Sequence, residues 1–496
     1  MSSGRSPQLA LATALVAVLL PLAFGPYLPS VDLPGHAAIA SVLGQLTFSG
    51  GPATEHYLLR LPEIPYYLGY FYLTVAIESL GLEWGLRALV AIYAVATTLG
   101  LALLFRQLGA PAWAVLCAPF VVYSRVFVFG FVATFVGLPW ILFGLLCLLR
   151  FDAQGSRRYA IAAGMCGLFV TLSHVFLWPV WLGFVAAFAI GAGRRAIPVA
   201  LAVSLFSGLP ILGSLAGGGV TGETVLPLFG GELGQVVDYV VDYGGTLQAL
   251  LHAGVLAIAV GVVAGSLRSL GRTEAGDGRN SQKIARMGIA AVVLQFAIFV
   301  VAPSVLRLGN ATAVNVNWRF LLFVEVALYL AAWPLLRGVS LGRVIGVVQA
   351  AAVATFVVGF AIFSLRFNEA MHELDGVLAH AEPGSTLVAA KIPYDFGLPG
   401  YDVPVLDHAY EYFLARGGGF VGGLWPDAHV PIRPKRGMAG SHRLLADGAG
   451  GYQPLWIGEA DYLLAVDGSS EIAIPAPRDG VRVATSDRWT LYRRRF

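Results

Sequence analysis

Charge is scarce in this 496-residue chain: Asp, Glu, Lys and Arg make up 12% of it, against 57% hydrophobic residues. A soluble globular domain carries about a quarter charged residues, so an ordinary water-exposed fold is excluded and the chain reads as a polytopic membrane protein. Lysine is scarcer still, three residues against 29 arginines, and the formal charge of +3 is too small to point to a nucleic-acid partner. Cysteine is confined to Cys117, Cys147 and Cys166, all inside apolar stretches and without metal-ligand spacing, so neither a disulfide framework nor a zinc site is indicated. There is no Ser-His-Asp ordering, P-loop or dinucleotide fingerprint, and no strong internal repeat of the kind that marks inverted transporter halves.

Long apolar runs are what the chain has instead. Eleven are long enough to cross a bilayer, near 9–25, 87–105, 112–129, 131–150, 158–173, 175–193, 196–215, 246–268, 287–306, 317–337 and 343–365. The first follows Arg5 but FGPYLPS lacks a small-x-small cleavage site, so it reads as a retained span. Arginine and lysine in short loops mark the cytoplasmic side. With the basic segment 268–286 placed inside, parity also brings Arg106, Arg150, Arg157, Arg158, Arg194, Arg195, Arg337 and Arg343 to the inner face. The stretch 66–81, with four Tyr and Glu78, would break that parity by crossing and is expected to lie in the outer interface; a full crossing is the alternative and would raise the count. The expected fold is therefore mainly α: a helical membrane bundle of about eleven spans over 1–365, a large first outer loop at 26–86, and a small extracytoplasmic α/β domain over 366–496. In that domain a helix is expected at 368–381, strands at 386–390 and 462–468, and a hairpin over 481–494, where apolar and polar residues alternate around a Ser-Asp turn.

The first residues to suggest chemistry are VDLPGH, 31–36, just beyond the first span. Asp32 has two readings: it caps the helix that Pro34 opens, or its carboxylate does chemistry, with His36 one turn on. Arg319 stands two residues into a span at its outer end, where a cation either snorkels to water or meets an anion; Arg60 and Arg307 are similar outer-face cations. Glu325, almost two turns deeper in the same span, is placed to form a structural ion pair with an Arg from another span. His174 lies at an outer loop beside Trp178 and Trp181, either as interfacial packing or facing the same cavity. Glu55, His56 and Glu63 are reserves, and Glu223, Glu232, Asp238 and Asp242 in the outer loop 216–245 read equally as solvated charge or as a second acid. DHAYEYF, 407–413, and WPDAH, 425–429, combine acids, His and aromatics suited to sugar binding.

An inner N-terminus, one span, an acid at the start of a large outer loop, about eleven spans and a C-terminal outer domain resemble the GT-C superfamily of polyprenyl-phosphate-sugar-dependent glycosyltransferases. VDLPGH resembles the D-x-P-x-H type stretch after the first span of bacterial GT-C-like proteins, and LPEIPYYLGY, 61–70, resembles the Pro-rich aromatic run later in the same loop of aminoarabinose- and mannose-transferring members. The resemblance covers about three-quarters of the chain. It implies a bacterial cell-membrane enzyme moving a sugar from a polyprenyl-phosphate donor to a lipid, glycan or protein acceptor. Only Asp32 inherits a role from it, that of base; the chemistry such a site needs, apart from the family, puts His36 beside it and offers Arg319, Arg60, Glu63 and His174 as substrate contacts. No D-x-D in the first loop and no W-W-D run speak against an oligosaccharyltransferase, and no metal or other cofactor is indicated. A lipid or glycan flippase and a noncatalytic envelope-assembly protein on the same scaffold are the competing readings.

Overall fold

The computed structural model describes residues 5–60, 66–216, 246–270, 279–302, 305–308, 311–314, 318–337, 340–389, 398, 405–422, 431–435, 460–466 and 480–495. Its helices, in chain order, are α1 Arg5–Leu19, α2 Leu33–Gly44, α3 Tyr67–Leu80, α4 Leu82–Leu108, α5 Ala118–Val122, α6 Arg125–Val128, α7 Val132–Gln154, α8 Arg157–Ser173, α9 Leu177–Ala192, α10 Ile197–Ala216, α11 Thr246–Leu270, α12 Arg279–Val301, α13 Trp318–Ala332, α14 Leu341–Leu378 and α15 Tyr412–Ala415. Among the described residues eight helices are long and apolar enough to cross a membrane, and the remaining three expected spans correspond to the shorter segments Ala112–Val128, α8 and Leu177–Ala192. Lipid-facing positions such as Ile92, Leu205 and Val347 are exposed, while Trp181, Trp333, Tyr123 and Phe120 fill the interior. Close approach uses glycine: a Cβ on Gly144 or Gly167 would stand 2.6 or 2.4 Å from the Trp181 indole, so small residues on α7 and α8 make room for that ring.

Two expectations need correction. The run at 112–129 is not one helix but a 3-10 turn, Ala112–Cys117, followed by α5 and α6. Prolines at 111 and 119 and the αL Gly130 limit each piece. The helix expected at 368–381 is not separate either. α14 runs unbroken for 38 residues, about 57 Å at 1.5 Å per residue, from the arginine-rich end of the bundle into the C-terminal region. α3, at 14 residues, spans about 21 Å, less than the roughly 30 Å hydrocarbon core, and turns back into α4 at Gly81, whose φ is +78°.

The C-terminal residues form a five-stranded sheet of order β5-β4-β7-β9-β8, made of Phe420–Gly422 (β5), Thr386–Ala389 (β4), Tyr462–Val466 (β7), Trp489–Arg494 (β9) and Gly480–Thr485 (β8). The first three are parallel to one another, and the expected β8–β9 hairpin closes one edge antiparallel with a register shift between Arg482 and Ala484. A separate hairpin pairs β2 Val305–Leu308 with β3 Ala311–Val314, with Arg307 opposite Thr312.

Two features tie this region to the first loop. Strand β1, Tyr57–Leu59, pairs antiparallel with β6, Ile432–Pro434. The exit of α1 is clamped to α14: Asn368 accepts from Tyr27 N–H and donates to Tyr27 C=O, both at 2.9 Å, and the Tyr27 hydroxyl donates to Asp375. Gly25 permits the clamp, because a Cβ there would lie 2.2 Å from Asn368 Cγ.

Candidate functional site

Asp32 occupies the N-cap position of α2, but its side chain makes no capping bond. That part of the helix-cap reading is corrected. The backbone at 31–32 is held by the broken segment instead, with Val31 and Asp32 N–H donating to the carbonyls of Val128 and Phe129 at 2.7 and 3.2 Å. Those carbonyls are available because α6 ends at Val128. Gly130, at φ +80°, completes the turn, and a Cβ on it would come within 2.8 Å of Asp32 N and 2.6 Å of Ser30 Oγ. Gly130→Ala is therefore expected to cost about 1–3 kcal/mol and to displace Asp32. Thermal unfolding of detergent-purified protein checks the first effect, and comparison with an equally destabilised variant far from Asp32 checks the second.

The Asp32 carboxylate faces the C-terminal region. His408 Nε2 lies 4.0 Å from Asp32 Oδ1 and 3.8 Å from Asp407 Oδ2, while His408 Nδ1 is 3.0 Å from Glu411 Oε1. Glu411 is fully buried, and His408 and Asp32 are each about one-fifth exposed. Burial raises Asp32 to a pKa of about 6, partly offset by the charges of His408 and Arg319 and reinforced by Glu411 and Asp407. Burial opposes the charge on His408, but Glu411, Asp32 and Asp407 outweigh it and pull the imidazole up to about 10. Burial also pushes Asp407 up. At neutral pH the arrangement is thus a carboxylate under the influence of two cations, His408 and Arg319, the first of them shared with Asp407 and Glu411.

Because His408 binds its proton more tightly in the folded chain than at its ordinary pKa of 6.5, its stabilising contribution is complete below pH 6.5 and is lost as pH rises toward 10. Thermal stability should fall across that window, and His408→Gln should flatten the fall; melting curves at pH 6.5, 8 and 10 test this.

Arg319, in the first turn of α13, lies over the Phe131 ring at 3.9 Å from the centroid, and its Nε has no hydrogen-bond partner among the described residues. Next to it Trp318 receives the buried Arg125 guanidinium at 4.0 Å. Tyr66 sits within electrostatic reach of both Arg319 and Asp32, and burial pushes its phenol above the ordinary range, so it remains a neutral hydroxyl. Behind it, His174 packs edge-on at 4.8 Å and accepts from Phe176 N–H at 3.0 Å. His36 is buried one turn into α2, with Nδ1 3.0 Å from the Tyr70 hydroxyl and Nε2 3.5 Å from that of Tyr66.

The structure therefore brings Asp32 and Arg319 together and places His36 and His174 against Tyr66. Arg60 is elsewhere, following β1, with its N–H donated to Pro431 C=O at 2.9 Å. Glu55 is exposed beside β1 and His56 is in ring contact with Phe420. Glu325 meets His252 Nε2 at 3.0 Å, so its partner from another span is a histidine and not the expected arginine. Glu63, the 216–245 acids and WPDAH lie outside the described residues. Among the described residues no group of three or more His, Cys, Asp or Glu is arranged to hold a metal ion. Sequence reasoning did not single out Arg125, met Tyr66 only within the aromatic run 61–70, and met Asp407, His408 and Glu411 only as parts of DHAYEYF. DHAYEYF drew notice for its composition, but its place beside Asp32 depends on a contact across more than 370 positions.

No family model matches the chain, and no curated protein matches it. Among solved structures it is similar to ArnT from Cupriavidus metallidurans bound to undecaprenyl phosphate, with TM-score 0.53 and 13% identity over 99% of this chain and 98% of that one. The apo state of the same protein gives 0.57 at 13% identity over 98% and 97%. The arabinofuranosyltransferase AftD from Mycobacteria gives 0.50 at 13% identity, covering 99% of this chain and 41% of that chain. At such identity the likeness speaks of architecture: the chain shares the membrane fold of these structures.

Proposed function

We propose that this chain is a membrane glycosyltransferase of the GT-C type, moving a sugar from a polyprenyl-phosphate donor to an acceptor hydroxyl at the outer membrane surface. The observation that carries the reading is the position of Asp32, a first-loop acid that makes no capping bond to its helix, with His408 at 4.0 Å and Arg319 within electrostatic reach. A carboxylate of raised pKa is suited to take the acceptor proton. Arg319 and His408 supply positive charge for the phosphate that departs with the lipid, and a guanidinium fork is well matched to phosphate oxygens. Tyr66, with His36 and His174 behind it, offers a neutral hydroxyl to orient sugar or acceptor.

The fold also offers a bed for the lipid tail. An apolar groove of about 570 Å³ lies between α3, α4 and α7, lined by Val75, Ile92, Phe135 and Trp140 among others. Phe135 is one turn along α7 from Phe131, the ring beneath Arg319, so a phosphate at Arg319 and a prenyl chain in the groove fit one molecule. That ArnT was solved with undecaprenyl phosphate supports the same donor class.

The test is reconstitution of the full chain into vesicles with a labelled polyprenyl-phosphate sugar and candidate acceptors. Free polyprenyl phosphate together with labelled acceptor supports transfer; passage of the intact lipid-linked sugar across the bilayer without cleavage makes the protein a flippase. Arg319→Ala should weaken donor binding about 10- to 100-fold, the equivalent of one charge-assisted hydrogen bond. An equal loss of folding would return Arg319 to a structural role.

A further inference from the structure

At the arginine-rich end of the bundle, opposite Asp32, a groove of about 770 Å³ runs between α1, the segment 111–116 and the start of α14. Leu9, Ala10 and Leu116 wall it, and Leu9 is 69% exposed, so part of its apolar wall is open to the surroundings. Trp113 forms its floor: a Cβ on Gly346 would lie 2.9 Å from Trp113 Cγ, and the missing side chain lets the indole press against α14. One end is polar, with Ser6, Ser340 and Arg343. Arg343 is exposed and, among the described residues, has no carboxylate within ion-pair distance; the same holds for Arg106 and Arg337 at this end. Topogenic charge explains why arginines gather on the inner face. It does not explain an apolar channel leading away from one of them.

We propose that this groove binds one anionic glycerophospholipid of the inner leaflet, with its phosphate at Arg343 and an acyl chain laid along α1 over Trp113. Charge complementarity selects the occupant: basic pockets between helices on the cytoplasmic side suit anionic headgroups, and the volume lies in the range of sites that enclose a ligand. The site is separate from the Asp32 centre and stands whether or not the chain transfers sugars.

Native mass spectrometry of the full chain, released from bilayers of equal phosphatidylglycerol and phosphatidylcholine, tests it. Wild type should retain a single phosphatidylglycerol in preference to phosphatidylcholine by about fivefold, the effect of one arginine at an anionic surface. Arg343→Gln should bring the two lipids to parity, and Ala10→Trp, which fills the groove without altering charge, should lose the retained lipid. Equal retention of both lipids by wild type overturns the proposal. So does loss in only one of the two variants, which would leave general charge attraction or a nonspecific crevice. Since the wild-type measurement is decisive on its own, a variant that fails to fold leaves the proposal open to refutation.

Discussion

Asp32→Asn is expected to lower the rate of sugar transfer by about 10²- to 10⁴-fold, the usual contribution of a positioned general base, while leaving the fold at least as stable as in wild type. The second half follows from the environment. A carboxyl group whose pKa is raised from 3.8 to about 6 by burial costs on the order of 3 kcal/mol to keep charged at neutral pH. The destabilisation is absent below pH 3.8 and complete above about 6, so an uncharged amide of the same shape removes it. The value of about 6 already includes the attraction to His408 and Arg319, so the gain is a net one. In wild type the rate should climb with pH through about 6 as the base ionises, and the climb should vanish in Asp32→Asn. Single-turnover assays with preloaded lipid-linked sugar, run beside thermal melts, read both quantities. An unchanged transfer rate would remove Asp32 from the chemistry; a parallel loss of rate and stability would make it a structural residue.

The second large effect is expected from Glu325→Ala. Glu325 lies six residues beyond Arg319 on α13, about 9 Å deeper, with 2% exposure. Its Oε1 is 3.0 Å from His252 Nε2 on α11, and His252 in turn stacks on Phe120 at 4.4 Å with the Tyr329 hydroxyl 3.5 Å away. Removing one partner of such a pair leaves the other polar and buried, which costs about 3–5 kcal/mol. Replacing both by apolar groups of similar volume is much cheaper. Glu325→Ala should therefore unfold at markedly lower denaturant, and the double variant Glu325→Leu with His252→Phe should recover most of the loss. Equal damage in the single and double variants would mean that packing volume, not polar pairing, sets the cost. Because α13 carries Arg319 at its outer end, the pair also fixes how that helix is rotated at the site.

Much of the bundle was legible from the chain because lipid imposes a simple rule on long apolar runs. The strands at 386–389 and 462–466 and the final hairpin were legible for a similar reason, being short apolar segments bounded by turn residues. Asp32 could be singled out because an acid immediately after a span is locally conspicuous. His408 could not. Its meaning comes from Asp32 and from Glu411 buried beside it, and one of those contacts is nearly the whole chain away in sequence. The breaks within 112–128 were equally hidden: Val128 and Phe129 satisfy hydropathy whether or not the helix is continuous, and only the backbone reveals that their carbonyls hold Val31 and Asp32.

The pairing of Tyr57–Leu59 with Ile432–Pro434 bears on how this protein can be dissected. Severing the chain after residue 378 would strip His408 from Asp32 and leave a raw strand edge on the first loop, so the truncated bundle would be a damaged molecule and not a smaller intact one. Work on separate halves needs both pieces expressed together, with the two strands left free to find each other.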